Sequence, residues 1–262
     1  MELDFSRREM FRGAGVVAGG ALFGPGADAG EADASTGVTE GTNISASASP
    51  DGRWVAFDLV TSIWTVPVTG GVARRLTDDL TDATRPCWSP DARTLVFQAC
   101  RDGNYHLWTV ASDGSGLRQL TSSPFDHREP RFAPDGCSIA FSSDRGDRGG
   151  YDIFTLDLAT GGVITAVTAP EGASLYGPSF TPMGLAYVRI AGATAELVVG
   201  DQVVSSGEDV FGFAASWLPD GELLCTADGR TKRRAPEPCG TAARQSCGVA
   251  STSSSPTGGS SP

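Results

Sequence analysis

The chain has 262 residues, with 20 Lys and Arg against 31 Asp and Glu, a formal net charge of −11. That length suits one all-β domain of ordinary size. The acidic balance excludes surfaces built for nucleic acid or anionic membranes, because both select basic patches.

Residues 1–34 read as a signal peptide and linker. Ser6-Arg7-Arg8-Glu9-Met10-Phe11-Arg12 resembles a twin-arginine export motif. A short Gly/Ala-rich apolar run follows over 13–24, then two small-x-small cleavage candidates, Ala27-Asp28-Ala29 and Ala32-Asp33-Ala34. The run is too short to span a bilayer, so no membrane span is expected. No Cys adjoins either cleavage candidate, which argues against a lipid anchor. The resemblance implies export of a folded protein to the periplasm or the extracellular space.

A repeat begins near Asn43. Ser49-Pro50-Asp51-Gly52 returns as Ser89-Pro90-Asp91-Ala92, Ala133-Pro134-Asp135-Gly136, Thr181-Pro182-Met183-Gly184 and Leu218-Pro219-Asp220-Gly221. The third residues of these corners are 40, 44, 48 and 37 positions apart. Pro pre-sets φ for a turn, Asp bonds its own backbone, and Gly accepts φ > 0. Trp88, Phe132, Phe180 and Trp217 precede four of the corners. After each corner comes an alternating apolar run, as in Leu95-Val96-Phe97. Then follow a second run such as His106-Leu107-Trp108-Thr109-Val110, a Gly-rich turn, and a short run ending on Leu76-Thr77, Leu120-Thr121 or Val167-Thr168. Period-2 alternation argues against helical repeats of similar length. Four short strands per 40-odd residues are the make-up of a propeller blade, and the aromatic before each corner is placed to fill the gap between sheets. The expected fold is all-β, a β-propeller of four-stranded antiparallel blades. It has four blades plus a partial fifth, as a small closed ring or an incomplete arc.

The order Ser-Pro-Asp-Gly, strand, aromatic strand, Gly-Gly turn, Leu-Thr resembles the Pro-Asp repeats of TolB-like propellers, over about 43–228. Arg74-Arg75-Leu76-Thr77-Asp78-Asp79 and Phe125-Asp126-His127-Arg128-Glu129-Pro130 look like the propeller that precedes a metal-dependent amidohydrolase domain in certain exported bacterial proteins. Related propellers precede the catalytic domain of prolyl oligopeptidase-like peptidases. The resemblance implies a propeller domain over 35–228, with a protein partner or a neighbouring hydrolase domain.

Past residue 228 the strand pattern is lost. Residues 229–262 read as a low-complexity tail whose composition does not offset the entropy of ordering. Loss of the pattern in mid-blade points to a truncated or frame-shifted reading; a natural flexible tail or linker is the alternative.

Chemistry is sparse. His106 and His127 are the only histidines. There is no His-x-His, no His-Glu-x-x-His, no Gly-x-Ser-x-Gly and no Cys-x-x-Cys. No catalytic set, metal site or cofactor is therefore expected. Hydrolase activity enters only by family association. The six cysteines, four of them at repeat positions, are expected as isolated thiols. The densest polar cluster is Asp126-His127-Arg128-Glu129, between units two and three. It is a candidate contact for a ligand or domain, or else a satisfied network between blades. Arg101-Asp102 and Asp144-Arg145 sit on equivalent hairpin loops and are weaker candidates. An acidic pair, Asp144 with Asp147, raises Ca²⁺, but EF-hand spacing is missing and solvated turns suit the residues better. The expected function is an exported, non-catalytic scaffold that binds a protein or ligand. The alternative is the propeller remnant of an amidohydrolase whose catalytic domain is absent.

Overall fold

The computed structural model describes residues 3–5, 44–78, 82–101, 103–146, 148–207, 216–217, 223–227 and 230–234. The twin-arginine motif, both cleavage candidates, Asp102, Asp147 and residues 235–262 lie outside that set. All the described elements are strands. No helix among these residues is long and apolar enough to cross a membrane.

The strands fall into five sheets. The first holds β1 (Leu3–Phe5), β2 (Ala46–Ala48), β3 (Trp54–Leu59), β4 (Ser62–Pro67) and β5 (Gly71–Arg75), in the order β1-β5-β4-β3-β2. The second is β6 (Thr84–Trp88), β7 (Thr94–Cys100), β8 (Tyr105–Ala111) and β9 (Arg118–Gln119). The third is β10 (His127–Phe132), β11 (Ser138–Ser143), β12 (Asp152–Asp157) and β13 (Val163–Val167). The fourth is β14 (Ala173–Thr181), β15 (Gly184–Ala191), β16 (Thr194–Val199) and β17 (Gln202–Gly207). The fifth is β18 (Ser216–Trp217), β19 (Leu223–Ala227) and β20 (Arg230–Arg234). Each is antiparallel, a meander apart from β1 in the first sheet, and each packs on the next in chain order, β2 and β3 on β6, β6 and β7 on β10, β10 to β12 on β14, β14 on β18. The result is an open arc of sheets, with β2, β6, β10, β14 and β18 at the edge where successive sheets meet.

The four corners among the described residues hold equivalent places, each between the first two strands of its repeat, β2–β3, β6–β7, β10–β11 and β14–β15. The fifth, at 218–221, lies outside the described residues. Gly52, Ala92 and Gly136 donate their N–H to Ser49, Ser89 and Ala133 at 2.9 Å and all adopt positive φ, 69°, 58° and 71°. Ser49 Oγ and Ser89 Oγ donate to Asp51 Oδ1 and Asp91 Oδ1 at 2.6 Å, and each also accepts the N–H five residues on. These serine bonds come first among the causes that hold both carboxyls below the ordinary Asp range. Adjacent corners touch: a Cβ on Gly136 would lie 3.6 Å from Pro90 Cδ. The worn copy is a shorter turn. β15 begins three residues after Thr181, and Thr181 Oγ1 accepts the Met183 N–H at 3.2 Å in place of an aspartate.

Sheets are buried on both faces, so alternation in the sequence sorts neighbours rather than core from solvent. Leu95, Phe97, Ala99, Trp108 and Val110 pack with Ala56 and Ile63 of the first sheet. Val96 and Leu107 pack with Ile139, Phe141 and Phe154 of the third. Trp88 is 5% exposed, joins the first of these clusters and donates Nε1–H to Ser47 O across the junction at 3.0 Å. Phe132 packs against the second cluster. Burial of such a ring contributes about 1.5–3 kcal/mol.

Two strands go beyond the sequence reading. β1 adds a fifth strand at the β5 edge, and β20 extends the paired region past residue 228, where the reading ends the propeller. The β19–β20 hairpin pairs Ala227 with Arg230. A backbone ladder of this kind needs no apolar alternation.

Candidate functional site

The inner strand of sheets two to four carries the same bulge. Register shifts occur after Thr84, Arg128 and Tyr176, and Arg85, Glu129 and Gly177 sit there at φ 57°, 56° and 58°, each followed by Pro. The bulge turns the N–H of each toward the preceding sheet. Arg85 N–H reaches Asp58 Oδ2 at 2.8 Å, Glu129 N–H reaches Gln98 Oε1 at 2.7 Å, and Gly177 N–H reaches Glu129 Oε2 at 2.5 Å. Ser142 Oγ donates to the same Glu129 oxygen at 3.2 Å, and Arg85 Nη1 lies 3.8 Å from Oε1. Glu129, 8% exposed, is thus a tie between sheets. Asp58 ties the preceding pair of sheets in the same way. Burial raises its carboxyl, against the Arg85 and Ser45 N–H bonds.

His127 is also internal. It is 2% exposed, with its ring 5.0 Å from Phe141 and 5.7 Å from His106. Its Nε2 meets Ser123 Oγ at 3.2 Å. Burial, with the nearby His106 and Arg145, lowers its pKa to about 4, so it is neutral at physiological pH. Arg101 and Arg145 cap the third-strand rings from equivalent hairpins, with Cζ 4.8 Å from the Trp108 centroid and 5.5 Å from Phe154. Arg101 also bonds Asp78 at 3.0 Å.

Asp126 and Arg128 are different. Asp126 Oδ2 accepts Arg128 Nε–H at 3.0 Å, Arg128 Nη2–H at 2.6 Å and Tyr151 O–H at 3.0 Å, while Oδ1 accepts the Tyr105 N–H at 2.9 Å. Burial pushes this carboxyl up, but the donors outweigh it and hold it low. Asp144 Oδ1 accepts the Asp126 N–H at 2.8 Å and so fixes the crossover. Arg128 lies between two tyrosines, with Cζ 4.3 Å from the Tyr105 centroid and 6.0 Å from Tyr151, and Tyr151 meets Tyr176 at 5.2 Å. The Tyr105 hydroxyl donates to Asp82 at 3.3 Å. The three tyrosines are half-buried, and the Arg128 side chain is 37% exposed. Three sheets therefore build one row, Tyr105-Arg128-Tyr151-Tyr176, from the starts of β8 and β10, the loop before β12 and the first half of β14. The sequence reading singled out Asp126 and Arg128 but missed the tyrosines. Their signal is positional: Tyr105 and Tyr151 both open strand three, three residues before Trp108 and Phe154.

Among the described residues no group of three or more His, Cys, Asp or Glu is placed to hold a metal ion. Cys87 and Cys100 are free thiols.

The TolB β-propeller domain profile matches residues 84–213. That stretch is a TolB-like β-propeller segment. The chain is similar in fold to a putative TolB from Agrobacterium tumefaciens, at 22% identity and TM-score 0.53, covering 61% of this chain and 62% of that one. It is likewise similar to TolB from Acinetobacter baumannii, at 20% identity and TM-score 0.54, covering 74% and 54%, and to a chain of the nidogen/laminin complex, at 16% and 0.52, covering 69% and 70%. The matched region thus spans about three fifths and about half of the two TolB chains. No curated protein matches the sequence. In this propeller segment the tyrosine–arginine row is drawn from strand residues and one hairpin loop of three packed sheets.

Proposed function

We propose that this chain is an exported, non-catalytic β-propeller that serves as a scaffold binding a protein or ligand through one row of side chains. The observation that carries the reading is the Tyr105-Arg128-Tyr151-Tyr176 row. It combines half-exposed aromatic rings with a cation whose position is fixed by Asp126. Tyr and Arg are enriched at binding hot spots, Tyr because it brings large contact area at small entropic cost and Arg because it brings a cation with several donors. Of the other polar candidates, Glu129 and His127 are absorbed by the structure and compete little for a ligand. Export rests on the sequence order of arginine pair, apolar run and cleavage candidates, and a periplasmic or extracellular location follows from it.

Two experiments test the two halves. A photo-crosslinking residue in place of Tyr176, with the full chain expressed in cells, is expected to yield a discrete adduct that Arg128→Ala weakens. The same residue at the outer-edge Ile164, which is 67% exposed, is expected to yield none. Equal labelling from both places, or none from either, contradicts that row as the binding surface. Replacing Arg7 and Arg8 together by Lys is expected to leave unprocessed precursor inside the cell; unchanged processing contradicts twin-arginine export.

A further inference from the structure

A second feature involves other residues and stands apart from the scaffold reading. A cavity of about 390 Å³ opens between the third and fourth sheets. Arg148 and Gly150 of the β11–β12 loop form one wall, Asp152 the base of β12, and Ala169, Glu171 and Ser174 the other wall. Asp152 is 5% exposed. Its Oδ1 accepts the Ala169 N–H at 2.7 Å, while Oδ2 accepts no hydrogen bond among the described residues. The position is peculiar to this junction. Two residues before the ring of strand three, sheets one and two have Ser62 and His106, where sheet three has Asp152.

A carboxylate this far from bulk water accepts a further donor readily, and a donor that meets it there is worth more than the same bond at the surface. The cavity is lined by two carboxylates, Asp152 and Glu171, and one guanidinium, Arg148, a balance of one negative charge. Its wall is bare backbone at Gly150, where a Cβ would lie 2.8 Å from Ser174 Oγ and 2.9 Å from Ala173 O. A lone metal ion would use little of this volume and needs more oxygen ligands than these two side chains bring. An alkylammonium fits better. It brings one charge, three N–H donors and an apolar stem to fill the remaining space. We propose that this cavity binds a primary ammonium group, with Asp152 as its buried anion and Glu171 as its rim charge. The source is either a lysine side chain of a peptide or a free small amine.

Amide NMR titration of the folded full chain tests this with three probes: Nα-acetyl-lysine N-methylamide, its Nε-acetylated form, and n-pentylamine. The two amines are expected to shift the Gly150, Ala169 and Ser174 amides saturably, and the acetylated probe is not. Tighter binding of the peptide-like probe assigns a lysine side chain; equal binding of pentylamine assigns a free amine. Asp152→Asn is expected to weaken amine binding about tenfold or more, the loss of a charge-assisted hydrogen bond. Glu171→Gln is expected to weaken it about twofold, and Arg148→Ala to tighten it by a similar factor, as expected for exposed charges. Should Asp152→Asn fail to fold, Gly146→Ala serves, since a Cβ there would lie 2.8 Å from Asp152 Oδ2 and would displace it. Equal response to the acetylated probe, or amine binding unchanged by Asp152→Asn or by Gly146→Ala, overturns the proposal.

Discussion

At the scale of single residues, the corners and the buried histidine give the sharpest expectations. Ala92 holds a left-handed φ of 58° at the place where Gly52 and Gly136 stand in neighbouring units. A Cβ in that region costs roughly 1 kcal/mol. Ala92→Gly should therefore raise stability by up to about 1 kcal/mol in urea unfolding, and a loss would show that the turn does not constrain this residue. His127 titrates far below its ordinary 6.5, at about 4. A group whose folded pKa is depressed contributes stability above its unfolded pKa and loses it as pH falls. Between pH 6.5 and pH 4 the protein should lose about 3 kcal/mol from this residue. Unfolding of His127→Gln over the same range should lack that share of the slope, and identical slopes would contradict the assignment.

Among elements, Leu-Thr endings and inner-strand bulges have roles that composition does not announce. Thr77 Oγ1 accepts the Ile63 N–H at 2.9 Å and Thr121 Oγ1 accepts the Leu107 N–H at 3.0 Å, so in the first two units the last residue closes the third strand. Thr121→Val keeps the shape and leaves a buried N–H unmet, which should cost about 1–2 kcal/mol. Glu129→Ala strands the Gly177 N–H and Ser142 Oγ and should cost about 2 kcal/mol. Arg128→Ala, at a half-exposed site with an internal partner, should cost no more than about 1 kcal/mol. Chemical denaturation of the three variants checks the order; an Arg128 loss larger than that of Glu129 would reverse the roles given to them. The same residues show what was legible beforehand. The corner motif carried its own turn chemistry, so its place between strands one and two could be read from Ser-Pro-Asp-Gly alone. Asp126 and Arg128 stood out as a polar cluster, but nothing local told that Glu129 and His127 point into the structure. Their fate is set by the bulge and by Phe141, His106 and Gly177, far away in the chain. Tyr105, Tyr151 and Tyr176 were invisible as a group because three different sheets bring them together.

For the whole molecule, the claim is that successive units stack face to face into an arc, each inner sheet buried by both neighbours. Phe57, Leu59, Trp64 and Val66 of the first sheet, on the face away from the second, form a buried cluster. Ala186, Val188, Leu197 and Val199 form another in the fourth. An arc of this kind is stabilised junction by junction, as in other repeat structures. The most direct test is native-state hydrogen exchange read along the chain by mass spectrometry. Amides of strands two and three, 94–100 and 105–111, 138–143 and 152–157, 184–191 and 194–199, should be protected. The exposed corner amides between strands one and two, at Asp51, Asp91 and Asp135, should exchange fast, so that protection rises and falls once per repeat. Protection with no relation to the corner spacing, or confined to a single unit, would contradict the propeller architecture.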